Sequence, residues 1–243
     1  MKKNCEQRYQ SHSDSGINAI RFIEYLECLA DIDKPPDERG DLQPKPDRGT
    51  LAQIRRTLGK KPDQAFGAFP YVVKWTGELN NDWHEECYYI VAALFAKHAS
   101  RSLHHQKELK DYQRNLGASF LKLDRKQQED SQTDERSKSL ERRFTNLLMS
   151  RKEDLPERLR HAISLLASKK IPIDWLQLLC DLCWWDQRQM AYASRPLAST
   201  QRRWAKAFWR VDGSANSPDL AEAAAEISND DNNNNSLTEE NEL

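Results

Sequence analysis

Glycine is scarce in this chain, with eight in 243 residues. That is too few for a turn-rich all-β fold or a glycine-rich phosphate-binding scaffold. No run approaches the roughly 18 uncharged apolar residues that a membrane helix needs. The first residues, Met1 to Glu6, run straight into polar sequence without the apolar core of a signal peptide. These absences lead to the expectation of a soluble, cytoplasmic protein with no membrane partner. Cysteine numbers only five, an odd total that does not suit a disulfide framework. Cys180 and Cys183 have C-x-x-C spacing, but they sit in the apolar, helix-patterned run Leu178 to Trp185 and no second ligand pair follows. They read as core thiols rather than zinc ligands.

Catalytic signatures are missing as well: G-x-S-x-G, H-E-x-x-H, the Walker A loop and G-x-G-x-x-G do not occur. His98, His104 and His105 cluster locally, and no ligand role is assigned to them. No catalytic residue, metal or cofactor is therefore assigned, and the chain is expected not to be an enzyme. Charge of one sign is absent from one end. After Arg210 there is no lysine or arginine, while Asp212, Asp219, Glu222, Glu226, Asp230, Asp231, Glu239, Glu240 and Glu242 follow. The net charge of −1 thus conceals a body of 37 basic and 29 acidic residues, about +8. A basic body with an acidic appendage points to a polyanionic partner, with a tail able to compete for the same surface.

What is present is helical periodicity. Ile17, Ile20, Ile23 and Leu26 recur at helical spacing, and Pro35, Pro36, Pro44 and Pro46 make 31–47 a loop. Thr50 with Gln53 predicts a helix start ahead of Leu51, Ile54 and Leu58, and Gly59 a stop. Phe69 to Trp75 alternates like a strand, but Pro70 can equally open a helix and no partner strand is in sight, so it is read as helical. Asp82 with Glu85 predicts the next helix, through Phe95, and Leu116, Phe120 and Leu123 mark a short one. Residues 124–138 contain no apolar side chain and read as a linker. Four more helices follow, opened by Leu140, by Asp154 with Glu157, by Asp174 with Gln177, and by Thr200. The predicted fold is all-α: a polar N-terminus (1–15), a helical subdomain (16–123), the linker (124–138), a helical bundle (139–211) and a disordered acidic tail (212–243).

The basic residues are organised on these helices. Arg202, Lys206 and Arg210 are spaced by four with Arg203 beside them, and no acid lies between Arg195 and Val211. Arg142 and Arg143 flank the Leu140/Phe144 face, and Arg151, Arg158 and Arg160 follow. Arginine presents a planar fork to phosphate oxygens, so such stripes suit a nucleic-acid backbone. Around residues 151–160, interspersed Glu153, Asp154 and Glu157 also allow an ordinary solvated face.

Several of these segments resemble one known family in order and spacing. Arg48-Gly49-Thr50-Leu51-Ala52-Gln53-Ile54-Arg55-Arg56 is similar to the N-terminal motif of the CasB family, the small subunit of type I-E CRISPR Cascade. Leu140-Glu141-Arg142-Arg143-Phe144 with Leu147, Leu148, Arg151, Leu159 and Arg160 resembles a second signature. Pro172-Ile173-Asp174-Trp175, then Gln201-Arg202-Arg203-Trp204-Ala205 and Phe208-Trp209, resemble a third. The resemblance implies a non-catalytic, all-α subunit present in two copies within a crRNA-guided complex. There it meets the backbone and large subunits, crRNA and target DNA. It also implies nucleic-acid-binding roles for Arg55, Arg56, Arg142, Arg143, Arg151, Arg158, Arg160, Arg202, Arg203 and Lys206. Two other readings of the same residues are a helical DNA-binding regulator and a scaffold whose arginines make protein–protein contacts. The loop at 31–47 and the tail carry no family inference.

Overall fold

Where apolar side chains repeat at helical spacing, the computed structural model of the chain has helices with one dry side. It describes residues 13–30, 32, 47–100, 109–132, 135–185 and 199–210, and all of its regular structure there is helical. The 31–47 loop apart from its ends, the His104–His105 pair and the acidic tail lie outside the described residues, as do residues 1–12.

Helix α1 (Ser13–Leu29) buries Phe22, Ile23 and Leu26. Helix α2 (Arg48–Arg55) opens earlier than the sequence implies. Asp47 is its cap, accepting from Thr50 N (3.0 Å) and from Thr50 Oγ1 (2.7 Å). A carboxylate three residues ahead has two oxygens and takes both of Thr50's donors, so Thr50 is capped rather than capping. Gly59, after the helix, has φ +82°, a left-handed conformation that favours glycine. The alternating segment is helix α3 (Phe69–Thr76), with Pro70 in its first turn. Helix α4 (Asp82–Lys97) is capped by Asn81 through His84 N (3.1 Å), while Glu85 accepts from Thr76 Oγ1 (3.4 Å) instead of completing a capping box. From Cys87 to Phe95 every α4 residue is buried, so this helix forms the centre, packed on by α1, α2 and α3.

A short helix α5 (Asp111–Arg114) precedes α6 (Leu116–Ser131). The predicted linker is largely helix, because α6 continues eight residues beyond Leu123. Polar side chains hold this half in place. Asp124 is buried, paired with Arg136 Nε (3.1 Å) and accepting from Ser137 N (3.3 Å), and Lys126 Nζ donates to Lys169 O (3.0 Å). Helix α7 (Lys138–Leu148) is capped by Ser137. Helix α8 (Leu155–Ser168) follows Asp154, whose side chain makes no capping bond, and has Pro156 in its first turn. Helix α9 (Trp175–Cys183) is capped by Asp174, which accepts from Gln177 N (2.9 Å), and Gln177 Nε2 turns inward to Asp181 (2.8 Å). Helix α10 (Thr200–Phe208) is capped by Ser199, not Thr200, whose hydroxyl donates to Asp181 O (3.3 Å).

One hydrophobic core joins residues from both sides of 124–138, and the described residues up to Trp209 cluster as one compact unit. That core is continuous across 124–138, the stretch expected to divide 16–123 from 139–211. The most extensive helix pair, α6 with α10, crosses that division. Its closest approach is at Gly117, where an added Cβ would overlap the Trp204 carbonyl oxygen and lie 2.7 Å from the carbonyl carbon. The thiols of Cys180 and Cys183 are buried in the core, as expected, and so is that of Cys87.

Candidate nucleic-acid interface

Amphipathic patterning decides which side chains of α7 and α8 reach water. In α7, Leu140, Phe144 and Leu147 turn inward, with the Phe144 ring 4.4 Å from Phe208 and 4.8 Å from Phe120. Arg142 and Arg143 are left exposed. In α8, Leu155, Leu159, Ile163 and Leu166 turn inward, leaving Arg158 and His161 exposed. Where these two helices meet there is a groove of about 330 Å³ lined by Arg143, Asn146, Leu147, Arg158, His161 and Leu165. Arg143 and Arg158, separate in sequence, are brought to one groove. Among the described residues neither side chain has an ion-pair or hydrogen-bond partner. Arg160 differs: its Nη1 lies 3.6 Å from Glu157 Oε2, and Glu157 Oε1 is also 2.9 Å from His161 Nε2. Arg151 is exposed in the turn between the helices.

Helix α10 divides its basic residues in the same way. Trp204 and Phe208 are fully buried, and Arg202 and Lys206 are exposed with no acidic partner among the described residues. Arg203 is committed to the fold. Its Nη2 donates to Asp181 Oδ1 (2.5 Å) and to Thr200 Oγ1 (3.2 Å), and its side chain is only 16% exposed. Asp181 itself is completely buried and also accepts from Trp204 Nε1 (2.6 Å). The absence of acids near Arg203 in sequence is thus made good by α9. Trp209, just beyond α10, donates from Nε1 to Glu141 Oε1 (2.8 Å) and lies 5.6 Å from the Phe144 ring, which ties the end of α10 to the start of α7. Arg136 stacks over Phe208 (4.7 Å) and donates to its carbonyl (3.1 Å).

Arg55 and Arg56 are exposed at the end of α2, which packs on α4 and α1. They do not line the α7/α8 groove. Sequence reasoning missed Asn146, His161 and Asp181. Asn146 and His161 lie on exposed positions of amphipathic helices with no pattern to distinguish them. Asp181 was hidden inside an apolar run, where a lone acid was itself the signal of a buried polar anchor.

Comparison with known proteins supports a single family. The family model described as CRISPR-associated protein Cse2 matches residues 50–209. A "CRISPR-associated protein Cse2" from Thermus thermophilus is 31% identical over 166 residues, covering 67% of this chain and 80% of that protein. Among solved structures, CasB of M. ruber is similar with a TM-score of 0.56 and 28% identity, over 87% of this chain and 98% of CasB. A Cse2-family protein of Thermus thermophilus shares the fold with a TM-score of 0.55 at 24% identity, over 79% of this chain and 98% of its own.

Proposed function

The chain belongs to the CRISPR-associated Cse2 family, and from that premise we propose that it is a non-catalytic small subunit of a type I-E Cascade complex. In this reading it binds nucleic-acid backbone without reading sequence, beneath the crRNA–target heteroduplex and along the displaced DNA strand. Its partners are the backbone and large subunits, crRNA, target DNA and a second copy of itself. Base pairing supplies specificity in such a complex, so the protein needs only a positive surface of suitable shape.

One observation carries the reading. Of the ten basic residues singled out by the sequence, Arg55, Arg56, Arg142, Arg143, Arg151, Arg158, Arg202 and Lys206 are exposed and have no acidic partner among the described residues. Only Arg160 and Arg203 are paired. The chain's own acids leave these cations open to a polyanion; a scaffold whose arginines make protein–protein contacts leaves the same cations open, and binding to nucleic acid separates the two. The test is binding of the full chain to random single-stranded DNA across a salt series. Truncating Arg202 or Lys206 to alanine should lower the salt slope by about 0.7 for each phosphate that is no longer neutralised. Two results would overturn the reading: a double alanine variant with unchanged affinity and slope, or failure of the chain to co-purify with a crRNA-containing complex. Strong preference for one duplex sequence would favour a regulator instead.

A further inference from the structure

We propose that the groove between α7 and α8 seats one unstacked nucleobase of a bound single strand, with the neighbouring phosphates on Arg143 and Arg158. The proposal rests on the nucleic-acid reading above and adds a base contact to a surface so far described by backbone charge alone. A surface that only follows phosphates, groove or not, needs cations and no apolar lining. Here the two unpaired arginines stand on a concavity to which Leu147 and Leu165 also contribute apolar lining. The volume of about 330 Å³ lies at the small end of the roughly 300–1,000 Å³ found for ligand sites, so it suits one nucleotide rather than a longer stretch.

The lining chemistry is that of a base contact without base choice. Leu165, partly exposed, offers aliphatic surface, which any base face can cover, and the buried Leu147 closes the floor beneath it. Asn146 carries both a donor and an acceptor and can turn its amide to either kind of base edge. Guanidinium groups meet phosphate oxygens bidentately and can also stack on base faces. Beside the groove, Glu157 is already engaged within α8, one oxygen 3.6 Å from Arg160 Nη1 and the other 2.9 Å from His161 Nε2. Among the described residues, neither Arg143 nor Arg158 has an ion pair to give up on admitting a phosphate.

The test compares an oligodeoxythymidylate with a strand of the same length made entirely of abasic residues, by fluorescence anisotropy of the full chain over a salt series. Both probes carry the same phosphates. The wild-type chain should bind the abasic strand about fivefold more weakly at an unchanged salt slope, no more than the weakest base–aromatic stacks give, because the apolar lining here is aliphatic. Leu165 is only partly buried, so Leu165→Gln should keep the fold while removing apolar lining. It should lose that factor on the thymidylate strand and nothing on the abasic one. Equal affinity of the wild-type chain for both strands, with a steep slope, would overturn the base contact and leave the backbone reading standing. A folded Leu165→Gln that still discriminates between the strands would overturn the assignment to this groove. Salt-independent or absent binding of both strands would overturn the backbone reading as well. The wild-type comparison needs no variant, so a misfolded Leu165→Gln would not shield the proposal.

Discussion

Asp181 is the anchor through which α9 holds α10, and truncating it to alanine is the sharpest perturbation the structure offers. Its buried carboxylate accepts from Arg203 Nη2, Trp204 Nε1 (2.6 Å) and Gln177 Nε2 (2.8 Å). Asp181→Ala strands two neutral donors in the core and leaves a guanidinium, 16% exposed, without its counter-charge. Removing one partner of a buried pair costs roughly 3–5 kcal/mol. Each stranded neutral donor costs roughly 1–3 kcal/mol taken alone. These terms share one site and do not add, and water can reach part of Arg203, so the expected total is about 4 kcal/mol. For a protein of this size that is a fall in Tm of about 10 °C. Asp181→Asn keeps the volume and one carbonyl acceptor, so it should lose about half as much. Urea unfolding followed by circular dichroism measures both. A second readout concerns binding. Because Arg203 already serves Asp181, Arg203→Met should leave the salt slope for single-stranded DNA unchanged when measured well below its melting temperature. An Asp181→Ala chain that melts within about 2 °C of wild type, under about 1 kcal/mol by the same scaling, would refute the anchor. So would an Arg203→Met slope that falls by the same amount, about 0.7, as Arg202→Ala.

Two further outcomes follow from the packing and from a shifted imidazole. Gly117→Ala drives a Cβ into the Trp204 carbonyl group, 2.7 Å from its carbon and 2.9 Å from the Cα, backbone that cannot swing aside. It should destabilise the chain by about 3 kcal/mol and, by pushing α10 off α6, change the near-ultraviolet circular dichroism of Trp204; an unchanged melt would refute the close approach. His98 has its pKa lowered by burial first and by the Lys97 charge second, with Nε2 3.2 Å from Ser164 Oγ. The folded state therefore favours neutral imidazole and the unfolded state binds the proton more readily. This contribution is complete above the ordinary pKa of about 6.5 and declines as pH falls through it towards the lowered folded value. Melting temperatures from about pH 8 to about pH 5.5 should show His98→Gln losing less stability on acidification than the wild type, and parallel curves would refute it.

Most of the fold was legible because helices are local. The apolar repeats in Leu140–Leu148 and Leu155–Leu166 locate α7 and α8 directly, since 3.6-residue periodicity marks the buried face without knowing what covers it. Caps were less legible. Thr50, Asp82, Asp154 and Thr200 all have suitable side chains, yet Asp47, Asn81 and Ser199 supply the capping oxygens of three of these helices and Asp154 makes no capping bond, because a cap needs non-helical backbone just ahead of the first turn, which Asp47 and Asn81 have and Asp154 lacks. The polar stretch at 124–131 defeated pattern reading for a related reason. Nothing apolar marks it as helix, and it is held by Asp124 with Arg136 and by Lys126 with a distant carbonyl.

The sequence by itself determined the all-α class, the thiols as core residues and the basic helices set against an acidic tail, because composition and periodicity need no partner. It also carried the family resemblance through ordered motifs. Only the tertiary structure decided which cations are free. Arg202 and Arg203 are neighbours in the chain, but a helix turns about 100° per residue, so one faces water and the other faces α9. The same rotation, applied to two helices that pack together, brought Arg143 and Arg158 to one groove and left Arg160 with Glu157. Charge is written in the sequence, whereas its availability is set by what packs against it.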